Sequence, residues 1–456
     1  MQLLDATILN TALPTIAADF HCDPLGLHGV VISYLLVVAI LIPASGWISD
    51  WLGSRKVFMA SIVLFCLGSL LCACSQSVHE LVLSRMVQGV GGAFLMPVGR
   101  LVILRAYSRK RFVKVFSLVT IPGLLGPLAG PILGGFLVQY ATWHWIFLIN
   151  IPVGLAGLAV AWRVMPNQTA VEKSRFDYFG FALFAAFAVL VTLGLERNGH
   201  SSGVRTFLLL SGGVICLIVY GYHALKREDA LFSRELFRTR NFSTGIVGNL
   251  VSRLGGGALP YLLPLFFQVV LGYSAFHSGL SLLPLALSGI GAKFLAEPLL
   301  DRFGYRNVTV INTLMIGVFM CGFMFVGRDH QSQTAMIILL TLLGATNSLQ
   351  FTCMNTLTLI DLPDKNASSG NSLLSVVMQL SVSTSIALAT LLLSVFIGQG
   401  APATDAELES AFHYTFAVVG GVSALSALIF ARVPAEKGKK RRKGVAAPSL
   451  SEKEPR

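Results

Sequence analysis

Apolar stretches long enough to cross a bilayer succeed one another along almost the whole chain, and they leave it few ways to fold. A helix needs about 20 apolar residues to span a hydrocarbon core roughly 30 Å thick. Inside that core each backbone N–H and C=O must be satisfied within the protein, which favours helices. Reading for such runs predicts spans at 1–13, 27–48, 57–75, 80–104, 113–138, 145–163, 178–195, 206–225, 242–268, 277–300, 308–327, 333–359, 371–397 and 411–432. The joining loops are short and leave no room for a soluble domain. Charged residues make up 12% of the chain, against about 25% in soluble domains. The expected fold class is an all-α polytopic membrane protein. Its first span is expected to be incomplete, because only Met1 to Leu4 precede Asp5; a native start further upstream is the expectation.

The basic residues give the bundle an orientation. Arg55 and Lys56 follow the second span, Arg105 to Lys114 the fourth, Arg163 to Arg175 the sixth and Lys226 to Arg240 the eighth. Arg302 and Arg306 follow the tenth, and Lys365 follows the twelfth. The intervening loops carry only Arg197, Arg205 and Arg328. By the positive-inside rule the basic loops are cytoplasmic, and so is the tail with Lys437 and residues 439–443. The net charge of +12 is then topological and lipid-directed, so no nucleic-acid partner is expected. Eight of the nine histidines fall near the opposite ends, His223 being the exception. They read as interfacial residues, with a pH or metal sensor as the other reading. Six cysteines lie in apolar runs as small core residues. The chain has no GxxxxGK[ST] pattern, so nothing points to ATP. With no clustered nucleophile, metal-ligand set or paired acids at one depth, no enzyme, cofactor or metal is expected.

Two loops share one spacing, D-x-x-G-x-R: Asp50 to Arg55 and Asp301 to Arg306. Each closes a long apolar run, as an internal duplication would leave it, and duplicated helix bundles are the architecture of secondary transporters. Glycine permits the tight turn. Asp50 can accept from helix N-terminal amides, and Arg55 can sit at an anionic helix end. Contacts of this kind would bias one conformational state of the bundle; plain turns with topological charge are the other reading. With residues at the very ends of spans set aside, the charged groups within spans are Asp5, Glu297, Arg85, Arg100, Arg253 and Lys293. Such groups are costly in a membrane and mark functional sites unless they snorkel. Lys293 and Glu297 have the spacing to pair on one helix face. Arg253 lies about 17 Å along its helix, near the midplane, where it should line a wet cavity. Asp5 is the natural proton carrier and Arg85 its candidate modulator. Gln88, Asn347 and Gln350 are candidate polar groups of the substrate cavity.

Several motifs carry a family resemblance. Gly46-Trp-Ile-Ser-Asp50-Trp-Leu-Gly53-Ser-Arg55-Lys56, Arg85-Met-Val-Gln88-Gly89-Val-Gly91-Gly92 and Leu4-Asp5-Ala-Thr7-Ile-Leu-Asn10 are three of them. Gly123, Gly126-Pro127, Gly130-Pro131 and Gly134-Gly135 form a fourth, and Trp143-His-Trp145-Ile-Phe-Leu-Ile-Asn150-Ile-Pro152 a fifth. Together they resemble the major facilitator superfamily, and within it the fourteen-span drug:proton antiporters. The resemblance implies two six-helix bundles, at 1–163 and 242–432, with an extra helix pair in a linker at 164–241 and a basic tail at 433–456. It implies proton-driven efflux of small molecules across a bacterial inner membrane, with Asp5 and Arg85 in proton coupling. A cytoplasmic gate would comprise Gly46, Asp50, Gly53 and Arg55 with Asp301, Gly304 and Arg306. The antiporter motif on the fifth helix comprises the seven glycines and prolines from Gly123 to Gly135. The chain is expected to act as a monomer in the lipid bilayer. The spans hold more cations than anions, so export of an organic anion or anionic metal chelate is the alternative, and a channel a more distant one.

Overall fold

A computed structural model of the protein describes residues 1–106, 126, 129–166, 176–195, 203–227, 230–232, 234–327, 330–359, 361–362, 364–397 and 404–433. Among these residues every long element is a helix. In chain order they are α1 (Gln2–Asp19), α2 (His28–Leu52), α3 (Ser54–Ala73), α4 (Val78–Ala106), α5 (129–140), α6 (Trp145–Val164), α7 (Tyr178–Leu195) and α8 (Gly203–Lys226). After these come α9 (Arg240–Val270), α10 (275–303), α11 (305–325), α12 (His330–Leu359), α13 (Asp364–Ile397) and α14 (Asp405–Phe430). Twelve helices among the described residues are long and apolar enough to cross a membrane. The protein is a multi-pass membrane protein.

The first helix departs from the expected end. α1 runs through Pro14 to Asp19. Proline removes one helix hydrogen bond and here does not end the helix. Leu13, Ile16 and Ala17 on either side are fully buried against neighbouring helices, and that burial outweighs one missing bond.

The D-x-x-G-x-R repeat has a matching backbone. Gly53 (φ 95°, ψ 133°) separates α2 from α3, and Gly304 (φ 77°, ψ 159°) bends α10 away from α11 inside one hydrogen-bonded run. Both lie in a region that side-chain-bearing residues avoid. The second half also contains a discontinuous helix. α9 passes Gly255, Gly256 and Gly257, then Pro260 and Pro264, and ends in a π-helical turn, Phe266–Val270. Such turns are rare and kink a helix where they occur.

Small residues set the closest approaches. A Cβ on Gly130 would strike the Thr7 side chain, and one on Gly134 would come within 2.6 Å of the Ile8 carbonyl oxygen, so α5 lies directly against α1. On its other side Gly135 abuts the Ala275 carbonyl, while Gly279 of α10 abuts the Pro131 carbonyl. α5 is thus pressed between α1 and the first turns of α10. Phe136 and Tyr140 meet Phe276 edge-on there, at 6.2 and 5.9 Å between ring centres.

α7 and α8 pack together, and α7 touches both α2 and α13, at the seam where those two helices meet. Buried Asp177, just ahead of α7, ties the pair to the chain that follows. It accepts hydrogen bonds from the Gly180 N–H at 3.0 Å, the Leu231 N–H at 3.2 Å and His223 Nε2 at 2.9 Å, with Arg227 at 3.8 Å. Burial pushes the Asp177 carboxyl up, but these donors outweigh it and hold the group below the ordinary aspartate value.

Candidate functional site: a buried charge pair and a central cavity

Asp5 and Arg85 meet inside the first half. Arg85 donates to Asp5 Oδ2 at 2.6 Å, and each side chain is 1% exposed. Two further donors converge on Asp5 Oδ1: Gln88 Nε2 at 2.8 Å and Asn150 Nδ2 at 3.0 Å. The carboxylate is therefore ringed by α1, α4 and α6 with donors only, the environment an ionised acid requires. Arg85 also donates Nε to the Val30 carbonyl at 3.3 Å. Its guanidinium carbon lies 4.3 Å from the Tyr34 ring centre and 5.9 Å from that of Phe147, within cation–π range. Ser69 on α3 accepts from Gln88 Nε2 at 2.8 Å. A buried ion pair is tolerable only when the remaining donors and acceptors are satisfied in this way.

A separate cavity of about 340 Å³ lies between the halves, within the size range of small-molecule sites. Among the described residues before 200, only Thr7 and Asn10 of α1 and Pro131 of α5 line it. The rest of the lining is Arg253 and its glycine and proline neighbours on α9, together with residues of α10 to α14. Arg253 is the only charged residue among the lining residues. Its Nε donates to Asn249 Oδ1 at 3.4 Å, and its guanidinium carbon is 5.3 Å from the Phe351 ring centre. Asn347 and Gln350 both line the cavity. Gln350 is held in place, accepting from Asn312 at 2.9 Å and donating to Thr313 Oγ1 at 2.6 Å.

Gln88, expected in the cavity, lies instead in the charge cluster, because it is three residues from Arg85 and shares its helix face. Of the loop residues, Arg55 donates to the Trp162 carbonyl on α6, and Asp50 and Arg306 are half-buried while Asp301 is exposed. Gly46 is exposed, with open space where a Cβ would go. Of the fifth-helix motif, Gly126, Gly130, Pro131, Gly134 and Gly135 face α1 or α10 or the cavity, whereas Gly123 and Pro127 lie outside the described residues. The same holds for the Glu297 side chain. Asn150 and Tyr34 carried no sequence expectation of their own. The signal for Asn150 was one amide in an otherwise apolar helix.

Membrane-length helices enclosing a cavity, with a buried ion pair beside it, are the arrangement of a membrane transporter. The sequence model of the Major Facilitator Superfamily matches residues 1–386 and again 292–454, and the chain belongs to that family. It is 45% identical over 437 residues to "Putative multidrug resistance protein MdtD" of Pectobacterium atrosepticum, covering 95% of this chain and 93% of that one. It is 46% identical to the protein of the same name in Salmonella newport, covering 95% and 92%. Among solved structures, the fold is similar to a D-xylose-proton symporter, with a TM-score of 0.67 at 15% identity over 96% of this chain and 97% of the other.

Proposed function

We propose that the chain is a proton-coupled efflux transporter, exporting drugs or other toxic small molecules across a bacterial inner membrane by alternating access. The Asp5–Arg85 pair carries this reading. A carboxylate held only by donors in a dry site is discharged by one proton, and discharge weakens its hold on the guanidinium. If opposite sides of the membrane reach Asp5 in the two states, the proton gradient biases the cycle and no nucleotide or cofactor is required. The name shared by the relatives supports a drug substrate. The distribution of basic loops supports a cytoplasmic C-terminus and a cytoplasmic gate at the D-x-x-G-x-R loops. Proton release or uptake induced by a panel of compounds in proteoliposomes tests the reading. Asp5→Asn should fold and lose proton-coupled efflux; full activity in that variant would sink the assignment.

One observation favours a second reading, export of an organic anion or anionic metal chelate. Arg253 faces the cavity with no carboxylate among the lining residues, and a positive site attracts anions by charge complementarity. Arg253→Ala should then lose transport of organic anions while cationic dyes are still carried. Loss of both, or of neither, would count against it.

A further inference from the structure

The hydrogen-bond geometry around Asp5 is complete for the ionised acid and lacks an acceptor for the protonated one. All three side chains that touch the carboxylate present donors to it: Arg85, Gln88 and Asn150. A proton arriving on Asp5 turns one oxygen into a donor, which must then find an acceptor or be left unsatisfied in a dry site. The Gln88 carbonyl oxygen is already bonded to Arg85, at 2.5 Å. Asn150 differs. Its Nδ2 donates to Asp5, while its own Oδ1 is buried with no hydrogen-bond partner. Buried unpartnered oxygens in this half also occur on Gln2, Asn10, Thr11 and Tyr34, but none of those side chains has a hydrogen bond to Asp5 among the described contacts.

The two ends of a primary amide have nearly the same shape and opposite hydrogen-bonding character. A half-turn about χ2 of Asn150 would exchange them without repacking the surrounding helices. We infer that Asn150 is a proton-state switch: its amide donates to ionised Asp5 and, turned over, accepts the proton that Asp5 carries. The residue does not carry the proton, and its role is to make both charge states of Asp5 tolerable in one dry site. It also reports that state to α6, whose Trp162 carbonyl receives Arg55 of the first D-x-x-G-x-R loop. The titratable and charged groups facing Asp5 are Arg85 on α4, Tyr34 on α2, Cys72 on α3 and the chain's amino terminus. Arg85 has no acceptor to offer, and the Tyr34 hydroxyl, though buried without a partner, makes no hydrogen bond to Asp5 among the described contacts, whereas the Asn150 amide already touches the carboxylate.

This inference rests on Asp5 as the proton carrier, and the two ideas fail differently. pH-difference infrared spectroscopy on purified protein reads the carbonyl stretch of a protonated carboxylic acid. That band should be present in the wild type and absent in Asp5→Asn; a band that survives Asp5→Asn overturns the carrier assignment itself. In Asn150→Leu the band should remain and move to higher frequency, because the acid's O–H has lost its acceptor. Its Asn side-chain amide counterpart should vanish from the difference spectrum, and coupled transport should fall by about tenfold or more, the scale of one lost hydrogen bond to a charged group. If leucine prevents folding, Asn150→Met offers a longer but flexible, unbranched apolar side chain for the same measurement. An unshifted carboxylic band in a folded Asn150 variant overturns the switch and leaves Asp5 as carrier intact.

Discussion

Gly53 and Gly304 adopt nearly the same left-handed backbone, at φ 95° and 77°, each at the glycine of its D-x-x-G-x-R loop. The repeated motif is thus a repeated conformation. Gly53→Ala and Gly304→Ala should each destabilise the protein by about 1–3 kcal/mol, the cost of a side chain in that region. Thermal unfolding in detergent would read this. Gly421→Ala, where a Cβ meets nothing within 4 Å, is the neutral control.

The Asp5–Arg85 pair should behave as a coupled unit. Arg85→Gln leaves a buried carboxylate without its cation and should cost roughly 3–5 kcal/mol at neutral pH. Adding Asp5→Asn removes the stranded charge. The double variant should therefore be more stable than Arg85→Gln alone, and a double-mutant cycle by thermal unfolding measures the difference. Strict additivity would mean that the two charges do not interact.

α5 has no spare room on either face. Gly134→Val would force α5 off the Ile8 carbonyl of α1, and Gly135→Val would force it off the Ala275 carbonyl of α10. The first should lower stability, because both helices belong to one half. The second falls between halves, so its larger effect should be on transport. Cysteines introduced near Tyr140 and Phe276 should cross-link less readily in Gly135→Val than in the parent.

Asp177 supplies a pH dependence outside the membrane. Its carboxyl is lower in the folded chain than in the unfolded one, so its contribution to stability is present above the unfolded value, about 4. It is lost as pH falls through the folded value. Asp177→Asn should lose this contribution at neutral pH and flatten the acid limb of the stability curve. Proteolysis of the segment after α8, followed between pH 7 and 3, would detect both effects.

Much of the architecture was legible in the sequence, because a bilayer imposes length and polarity on each helix separately. Those are local properties. Asp5 and Arg85 could be named for the same reason, since a charge in an apolar run stands out. Their contact could not be read: it depends on how α1 and α4 are rotated, which side-chain packing decides. Gln88 illustrates the limit. Its polarity suggested the cavity, while its spacing from Arg85 put it in the cluster. α1 runs past the expected end at residue 13 because burial of Ile16 and Ala17, a tertiary property, carries the helix beyond Pro14.

The charge cluster draws on α1, α2, α3, α4 and α6, and the cavity on α1, α5 and α9 to α14. α1 is the one described helix with side chains in both, Asp5 in the first and Thr7 and Asn10 in the second. Whatever passes between charge and cargo by direct contact therefore travels along a single rod, over less than two turns. Such a design permits the cargo chamber to be remodelled on the far bundle without disturbing the charge pair. Under the proposed proton coupling, the first turns of α1 would be the narrowest point of the machine, where a small slip in pitch would uncouple its two ends.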